Sequence, residues 1–182
     1  MLSRTRAEIA PAVAGIDLDR IAWKILNADS MNRIEGISQE MVEISEKEYR
    51  RFLTLKAENP GVRLTPTPLM DLFWHAHILD TMSYAEDCEE ILGRFLHHVP
   101  NFGPHQKDGI SFDDGKAWKD MCRLYKERFS EEPVYGGVLE EISAKHGFES
   151  DKLLKLLGSA VYQERVVRIM NRQPEGTMTW SR

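Results

Sequence analysis

The residues best suited to chemistry are concentrated in one stretch of the chain, residues 67–105. Five of the six histidines and one of the two cysteines fall inside it. They are His75, His77, His97, His98 and His105, together with Cys88. Imidazole, thiolate and carboxylate groups are the ligands that zinc and non-haem iron take in proteins. The clustering therefore predicts a zinc or iron site with the five histidines as candidate ligands, and with Cys88 either as a further ligand or as a thiol beside the site.

The first two of these histidines lie on a predicted helix. Thr67 is typical of an N-cap, and Pro68 is favourable at the first helical position, because its missing N–H has no partner there anyway. On a regular helix His75 and His77 point to nearly opposite sides, so they cannot share one metal ion, whereas residues spaced i, i+4 can. A shared site therefore requires one ligand from this pair, or a break in the helix near Asp80, which could cap a second helix.

The other three histidines follow in a predicted loop. Two prolines and a glycine after the helix must end it and reverse the chain. A loop that returns beside its parent helix could bring His97, His98 or His105 close to one of the helical histidines. Such a return would gather the three or four imidazole and carboxylate ligands that a zinc or non-haem iron site uses.

Three further side chains flank His77 on the predicted helix and are candidate catalytic groups: Asp80, Tyr84 and Cys88. A metal held by histidine and carboxylate with an open position activates water or dioxygen, and these groups could assist it. In a metal-free enzyme, Cys88 could instead act as a nucleophile with a motif histidine as its base. The position of Cys88 on an apolar stripe disfavours that second mechanism.

The same residues also have a purely structural interpretation. A histidine on an apolar helix face is more often buried and hydrogen-bonded to an aspartate, a tyrosine or a carbonyl than bound to metal. Phe73, Trp74 and Phe95 on that face are typical of a core. The alternative hypothesis is therefore a non-catalytic interaction or scaffold domain with a buried polar histidine core.

The motif as a whole resembles a known family. Its residues are Trp74, His75, His77, Asp80, Tyr84, Cys88, His97 and His98. They look like the core signature of the glycine-rich domain-containing-protein-like family, found in small bacterial proteins and in larger plant proteins, over roughly residues 15 to 130. The glycine-rich region that names the plant members is missing from this sequence. The resemblance implies a shared motif and no particular activity.

Helical periodicity predicts the elements that must position the motif. Predicted helices cover residues 17–27, 45–58, 68–95, 116–129, 138–146 and 150–172. Residues 38–42 belong either to a loop or to a weak helix, and no segment shows convincing strand alternation. Ser45 and Glu48 form a capping-box pattern at the start of the second of these helices. We predict an all-α fold of about six helices around the 68–95 helix, against which the helix with Trp118 packs.

The chain divides into two predicted parts. Residues 1–132 form a histidine-rich helical core domain, and residues 133–182 form a C-terminal appendage with a long amphipathic helix and a polar tail. The basic face of that helix is usually solvated, although it could also dock onto an acidic partner or a second subunit. Trp180 in the tail is expected to dock on the domain, on a partner or in a pocket.

Composition narrows the functional classes. The net charge of −5 argues against a nucleic-acid binder, and the chain contains no run of apolar residues long enough to span a membrane. Two cysteines make no disulfide framework, so a reducing cytoplasm is the expected compartment. We expect a small metal-binding protein whose partner is an unidentified small molecule or protein. A metalloenzyme of a biosynthetic pathway is one form that such a protein could take.

Overall fold

All the regular secondary structure in the described part of the molecule is α-helical, which confirms the predicted all-α class. The computed structural model describes residues 9–27, 37–98 and 114–134, and these contain six α-helices and no strand. The helices are α1 (Pro11–Gly15), α2 (Asp19–Leu26), α3 (Gln39–Glu58), α4 (Pro68–Leu79), α5 (Thr81–Leu92) and α6 (Asp114–Phe129). Within these ranges, no helix has the length and apolar character needed to cross a membrane. The predicted helices 138–146 and 150–172, and Trp180, lie outside the described residues.

Helix α3 is the central element, and the other helices pack around it and α4. It begins at Ser38, whose hydroxyl accepts a hydrogen bond from the Met41 N–H at 3.2 Å. The predicted start at Ser45 is wrong, because Ser45 and Glu48 both lie buried in the middle of one continuous helix. In a sequence, a serine and a glutamate three positions apart look the same whether they cap a helix or are buried by a tertiary contact.

The motif helix differs from its prediction in one important respect. The single helix expected over residues 68–95 is two helices, which meet at Asp80, where the backbone leaves the helical region with φ −88° and ψ 67°. A break near Asp80 was one of the two ways in which the sequence allowed a metal site to include these histidines. The Asp80 carboxylate pairs with Arg20 Nε of α2 at 2.9 Å, so a contact distant in sequence stabilises the corner.

Helix α6 docks mainly on α3, so the expectation that it packs on the motif helix is wrong. The Tyr125 hydroxyl of α6 donates to Glu48 Oε1 at 2.7 Å and accepts from Arg51 Nη1 at 2.6 Å. Arg51 is buried and also holds both carboxylate oxygens of Glu131, at 2.8 and 3.3 Å. Burial raises the pKa of Glu48, whereas the hydrogen bond from Arg51 lowers the pKa of Glu131. A buried polar network therefore joins α6 and the segment after it to α3.

A side chain of α3 holds α1 against the core, and α2 begins without a side-chain cap. Arg50 of α3 donates to the carbonyl oxygens of Val13 and Ile16 at the end of α1, at 2.7 and 3.2 Å. Helix α1 was not predicted, because five residues are too few to show a period. The N-cap of α2 is Leu18, which makes no side-chain capping hydrogen bond, so the predicted cap at Asp17 is wrong by one position. The Asp17 carboxylate accepts from the Asp19 N–H at 3.0 Å just before the first turn of the helix.

Candidate metal centre

Three side chains from two separate segments come together at one face of α4. Asp71 and His75 are spaced i, i+4 on α4, so they share a face of the helix. His98 follows α5 and reaches the same place from the returning chain. The possible ligand atoms of these three residues all lie within 4.8 Å of one another.

The aspartate is at the centre of the group. A carboxylate only accepts hydrogen bonds, so His98 Nε2 donates to Asp71 Oδ1, at a distance of 3.0 Å. His75 Nδ1 lies 3.5 Å from the other carboxylate oxygen, Oδ2. Ligands placed about 2.0–2.1 Å from a tetrahedral zinc ion are about 3.3 Å apart, and these two separations lie on either side of that value.

The group is buried on one side and open to solvent on the other. The Asp71 side chain is 4% exposed, that of His98 is 18% exposed and that of His75 is 53% exposed. Asp71 also lies in the first turn of α4, where the positive end of the helix dipole favours a carboxylate. An ion bound here would meet a buried negative charge on the protein side and keep access to solvent beside His75.

The chain between α5 and His98 is held close to α4. Gly93 ends α5 with φ +63°, a left-handed conformation that glycine adopts without strain. Leu96 is buried, and its carbonyl oxygen accepts a hydrogen bond from the Tyr84 hydroxyl. The ring of Trp74 contacts the ring of His98, with centroids 4.7 Å apart. These contacts turn the chain back toward the motif helix, as the prediction of a returning loop requires.

His77 lies in a different and closed environment. Its ring is 2% exposed, with Nε2 at 2.9 Å from Asp87 Oδ2 and Nδ1 at 3.0 Å from the Tyr49 hydroxyl. Burial lowers the pKa of His77, although the Asp87 carboxylate opposes that shift. In the neutral ring Nε2–H donates to the carboxylate, so Nδ1 accepts from Tyr49. Both ring nitrogens are therefore already hydrogen-bonded within the protein.

The other two predicted histidine ligands are not part of the group around Asp71. His97 is exposed and lies against Phe95, with ring centroids 4.9 Å apart. His105 lies outside the described residues. Of the five predicted ligands the structure thus brings together two, His75 and His98. Sequence reasoning missed Asp71 as a candidate ligand, although its i, i+4 spacing from His75 was a usable signal.

The three predicted catalytic side chains also lie apart from this group. Asp80 is paired with Arg20 at the corner between α4 and α5. Tyr84 and Cys88 are buried on α5, and burial raises the pKa of both groups. The Cys88 thiol interacts with the Tyr84 hydroxyl and the Leu96 backbone. A catalytic role for these residues stays a prediction.

Comparison with known proteins gives a family and no function. A family model described as UCP032817-like matches residues 20–135, well over half of the chain, so the chain belongs to this family. The matched region contains Asp71, His75 and His98. Neither a curated protein nor a solved structure matches the chain. The finer resemblance to glycine-rich domain-containing proteins stays a prediction.

Proposed function

We propose that this UCP032817-like protein binds one divalent transition-metal ion through Asp71, His75 and His98. The observation that carries the proposal is the convergence of one carboxylate and two imidazoles, with ligand atoms within 4.8 Å, from segments that are distant in sequence. Two of the three are fixed one helical turn apart on α4. The third is supplied by the chain that returns after α5.

The composition of the group supports zinc or non-haem iron. Two histidines and one carboxylate hold Fe²⁺ in the facial triads of oxygenases, and similar three-residue sets hold catalytic zinc. Calcium and magnesium prefer oxygen ligands, so a site with two imidazoles disfavours them. Three protein ligands leave at least one coordination position open for water or a substrate.

A site of this kind favours a metalloenzyme over a structural metal centre. Structural zinc sites are usually closed by four protein ligands, whereas catalytic sites retain an open position. The half-exposed His75 gives that position access from solvent. A bound metal would supply Lewis acidity or dioxygen binding, and the protein would supply the orientation of the ligands.

His77 supports the second candidate function, a scaffold or interaction domain with a polar histidine core. Its two nitrogens join Tyr49 of α3 to Asp87 of α5, so the ring connects three helices. This arrangement requires no metal. It accounts for one of the motif histidines and leaves the convergence around Asp71 without an explanation.

Metal analysis combined with a matched pair of variants tests the proposal. The protein is purified without a histidine tag, its metal content is measured, and the metal-free form is titrated with Zn²⁺ and, under anaerobic conditions, with Fe²⁺. We expect about one equivalent of metal per chain. Asp71→Asn should lower the affinity by roughly 100-fold or more, because it changes a ligand itself, whereas loss of a group that only orients a ligand typically costs about 10- to 100-fold. Asp87→Asn is the control, because Asp87 also faces a histidine but lies outside the group.

The outcomes separate the two candidate functions. Binding in the wild type that is lost in Asp71→Asn and retained in Asp87→Asn supports the metal centre. Metal content far below one equivalent, with no binding in either titration, overturns it and leaves the scaffold. Equal loss of affinity in both variants would place the metal elsewhere.

A further inference from the structure

We infer that Tyr84 is a positioning residue of the proposed metal centre, because its hydroxyl fixes the backbone that carries His98. The inference rests on the proposed function and adds a residue that influences how tightly the centre binds metal. Tyr84 would act through His98 and would not touch the metal. This role differs from the direct catalytic assistance that the sequence motif predicts for Tyr84.

The contacts of the Tyr84 hydroxyl join three separate segments. It accepts a hydrogen bond from Trp74 Nε1 of α4 at 2.8 Å, and it donates to the Leu96 carbonyl oxygen after α5. Tyr84 itself lies on α5 and is fully buried. A buried hydroxyl with both a donor and an acceptor partner is costly to displace, so it fixes the position of the Leu96 carbonyl.

The chain after α5 transmits this constraint to His98. Burial alternates along residues 95–98: Leu96 is buried and His98 half-buried, whereas Phe95 and His97 are exposed. Alternation is the pattern of extended backbone, in which residues two apart point to the same side. Fixing Leu96 therefore directs His98 toward α4, where the Trp74 ring supports its imidazole.

His98 is the ligand whose position most needs this support. Asp71 and His75 are held by the hydrogen bonds of α4, whereas His98 lies beyond the end of α5. A ligand that samples several positions lowers the apparent affinity by the fraction of time it spends outside the site. Removing groups that orient metal ligands typically reduces metal affinity 10- to 100-fold. By linkage, bound metal must in turn strengthen the docking of residues 95–98.

Zinc titration of Tyr84→Phe tests the inference, with Tyr49→Phe as its control. Each variant removes one buried hydroxyl, but the Tyr49 hydroxyl bonds to the His77 ring, whereas the Tyr84 hydroxyl bonds to the Leu96 backbone. We expect the Kd for Zn²⁺ to rise about 10- to 100-fold in Tyr84→Phe and less than about threefold in Tyr49→Phe. The melting temperature of both metal-free variants is measured, so that a general loss of stability is separated from a loss of positioning.

A second variant keeps the test valid if Tyr84→Phe fails to fold. Phe95 is 43% exposed, and its ring packs edge-on against Tyr84 with centroids 5.1 Å apart. Phe95→Ala should loosen residues 95–98 without opening the core, and should raise the Kd for Zn²⁺ about 2- to 10-fold. In the wild type, Zn²⁺ should slow amide hydrogen exchange at residues 96–98, and this protection should shrink in either variant.

The possible failures are distinguishable. A wild type that binds no Zn²⁺ overturns the proposed function itself. If the wild type binds Zn²⁺, the deciding variant is Tyr84→Phe, or Phe95→Ala where Tyr84→Phe does not fold. Unchanged Zn²⁺ affinity and unchanged exchange protection in that variant overturn only the positioning role.

Discussion

Two histidines of α4 stand only two positions apart, yet their surroundings are opposite in kind. His75 is half-exposed and shares the Asp71 carboxylate with His98. His77 is buried and hydrogen-bonded at both nitrogens, to Tyr49 and Asp87. Each histidine lies near an aspartate, so the presence of a His–Asp pair does not separate them.

What separates the two environments is the number of groups that converge and whether the site is open. Around Asp71, two imidazoles meet one carboxylate beside solvent, and a small ion could replace hydrogen-bond contacts with coordinate bonds. Around His77, a single ring is held by one donor and one acceptor in the interior. The first arrangement suits metal binding and the second suits stability.

The largest expected effect is on metal affinity. His98→Ala removes the ligand that comes from outside α4, and should weaken Zn²⁺ binding by roughly 100-fold or more in a calorimetric titration, the upper end of what losing a supporting group costs. His77→Ala should change the affinity less than about threefold, because both its nitrogens bond within the protein. A comparable loss in both variants would mean that the two environments are coupled and would remove the division between them.

For stability we expect the opposite: the variant at His77 should lose more free energy of unfolding than a variant at a histidine of the metal centre. His77→Ala leaves the Tyr49 hydroxyl and the Asp87 carboxylate without their partner, and should lower the free energy of unfolding by about 2–4 kcal/mol in urea. His75→Ala removes a half-exposed ring from the metal-free protein and should cost less than about 1 kcal/mol. Equal costs would show that His75 is as structural as His77.

Saturating Zn²⁺ should raise the melting temperature in a way that separates the two sites. At 100 times the Kd, binding adds about 2.7 kcal/mol, which corresponds to about 5–10 °C for a chain of this length. His77→Ala should begin from a lower melting temperature and still show the shift. His98→Ala should also begin below the wild type, because the buried Asp71 carboxylate loses a donor, and it should show no shift.

Acid should destabilise the metal-free protein through His77. Burial lowers its folded-state pKa below the unfolded value of about 6.5, so the unfolded state binds more protons between these two values. The contribution of His77 to the free energy of unfolding is thus fully present above about pH 6.5. It falls by at most about 1.4 kcal/mol per pH unit as the pH drops toward the folded-state pKa. Urea unfolding of the wild type and of His77→Gln from pH 5 to 8 measures this contribution. Parallel plots of the free energy of unfolding against pH for the two proteins would contradict the prediction.

The smallest effect is expected at His97. It belongs to the same motif but is exposed and contacts Phe95. His97→Ala should change the free energy of unfolding by less than about 0.5 kcal/mol and the Zn²⁺ affinity less than about twofold. A large loss of affinity would add His97 to the ligand set and enlarge the centre beyond the three residues.

Local signals explain which features could be predicted from the sequence. Thr67 and Pro68 mark the start of α4, and apolar periodicity identifies α6 within two residues of its observed start. The opposite directions of His75 and His77 follow from helical geometry alone. All of these depend on residues within a few positions of one another, where the backbone geometry is fixed.

The errors arose where distant residues compete with local patterns. Ser45 and Glu48 read as a helix start, but contacts such as that between Glu48 and Tyr125 bury them inside α3. The continuous 68–95 helix was expected because nothing local requires the break that Arg20 stabilises at Asp80. In each case the deciding partner lies more than 50 positions away in the sequence.

The sequence by itself determined that the chain is helical, that α4 carries two histidines on opposite faces, and that a turn must follow α5. Only the tertiary structure decided which imidazole meets which carboxylate. His98 lies 27 positions from Asp71, and its approach depends on a hydroxyl of α5 that holds the intervening backbone. Helix geometry fixes directions over one or two turns, whereas a contact across a turn depends on how the helices pack.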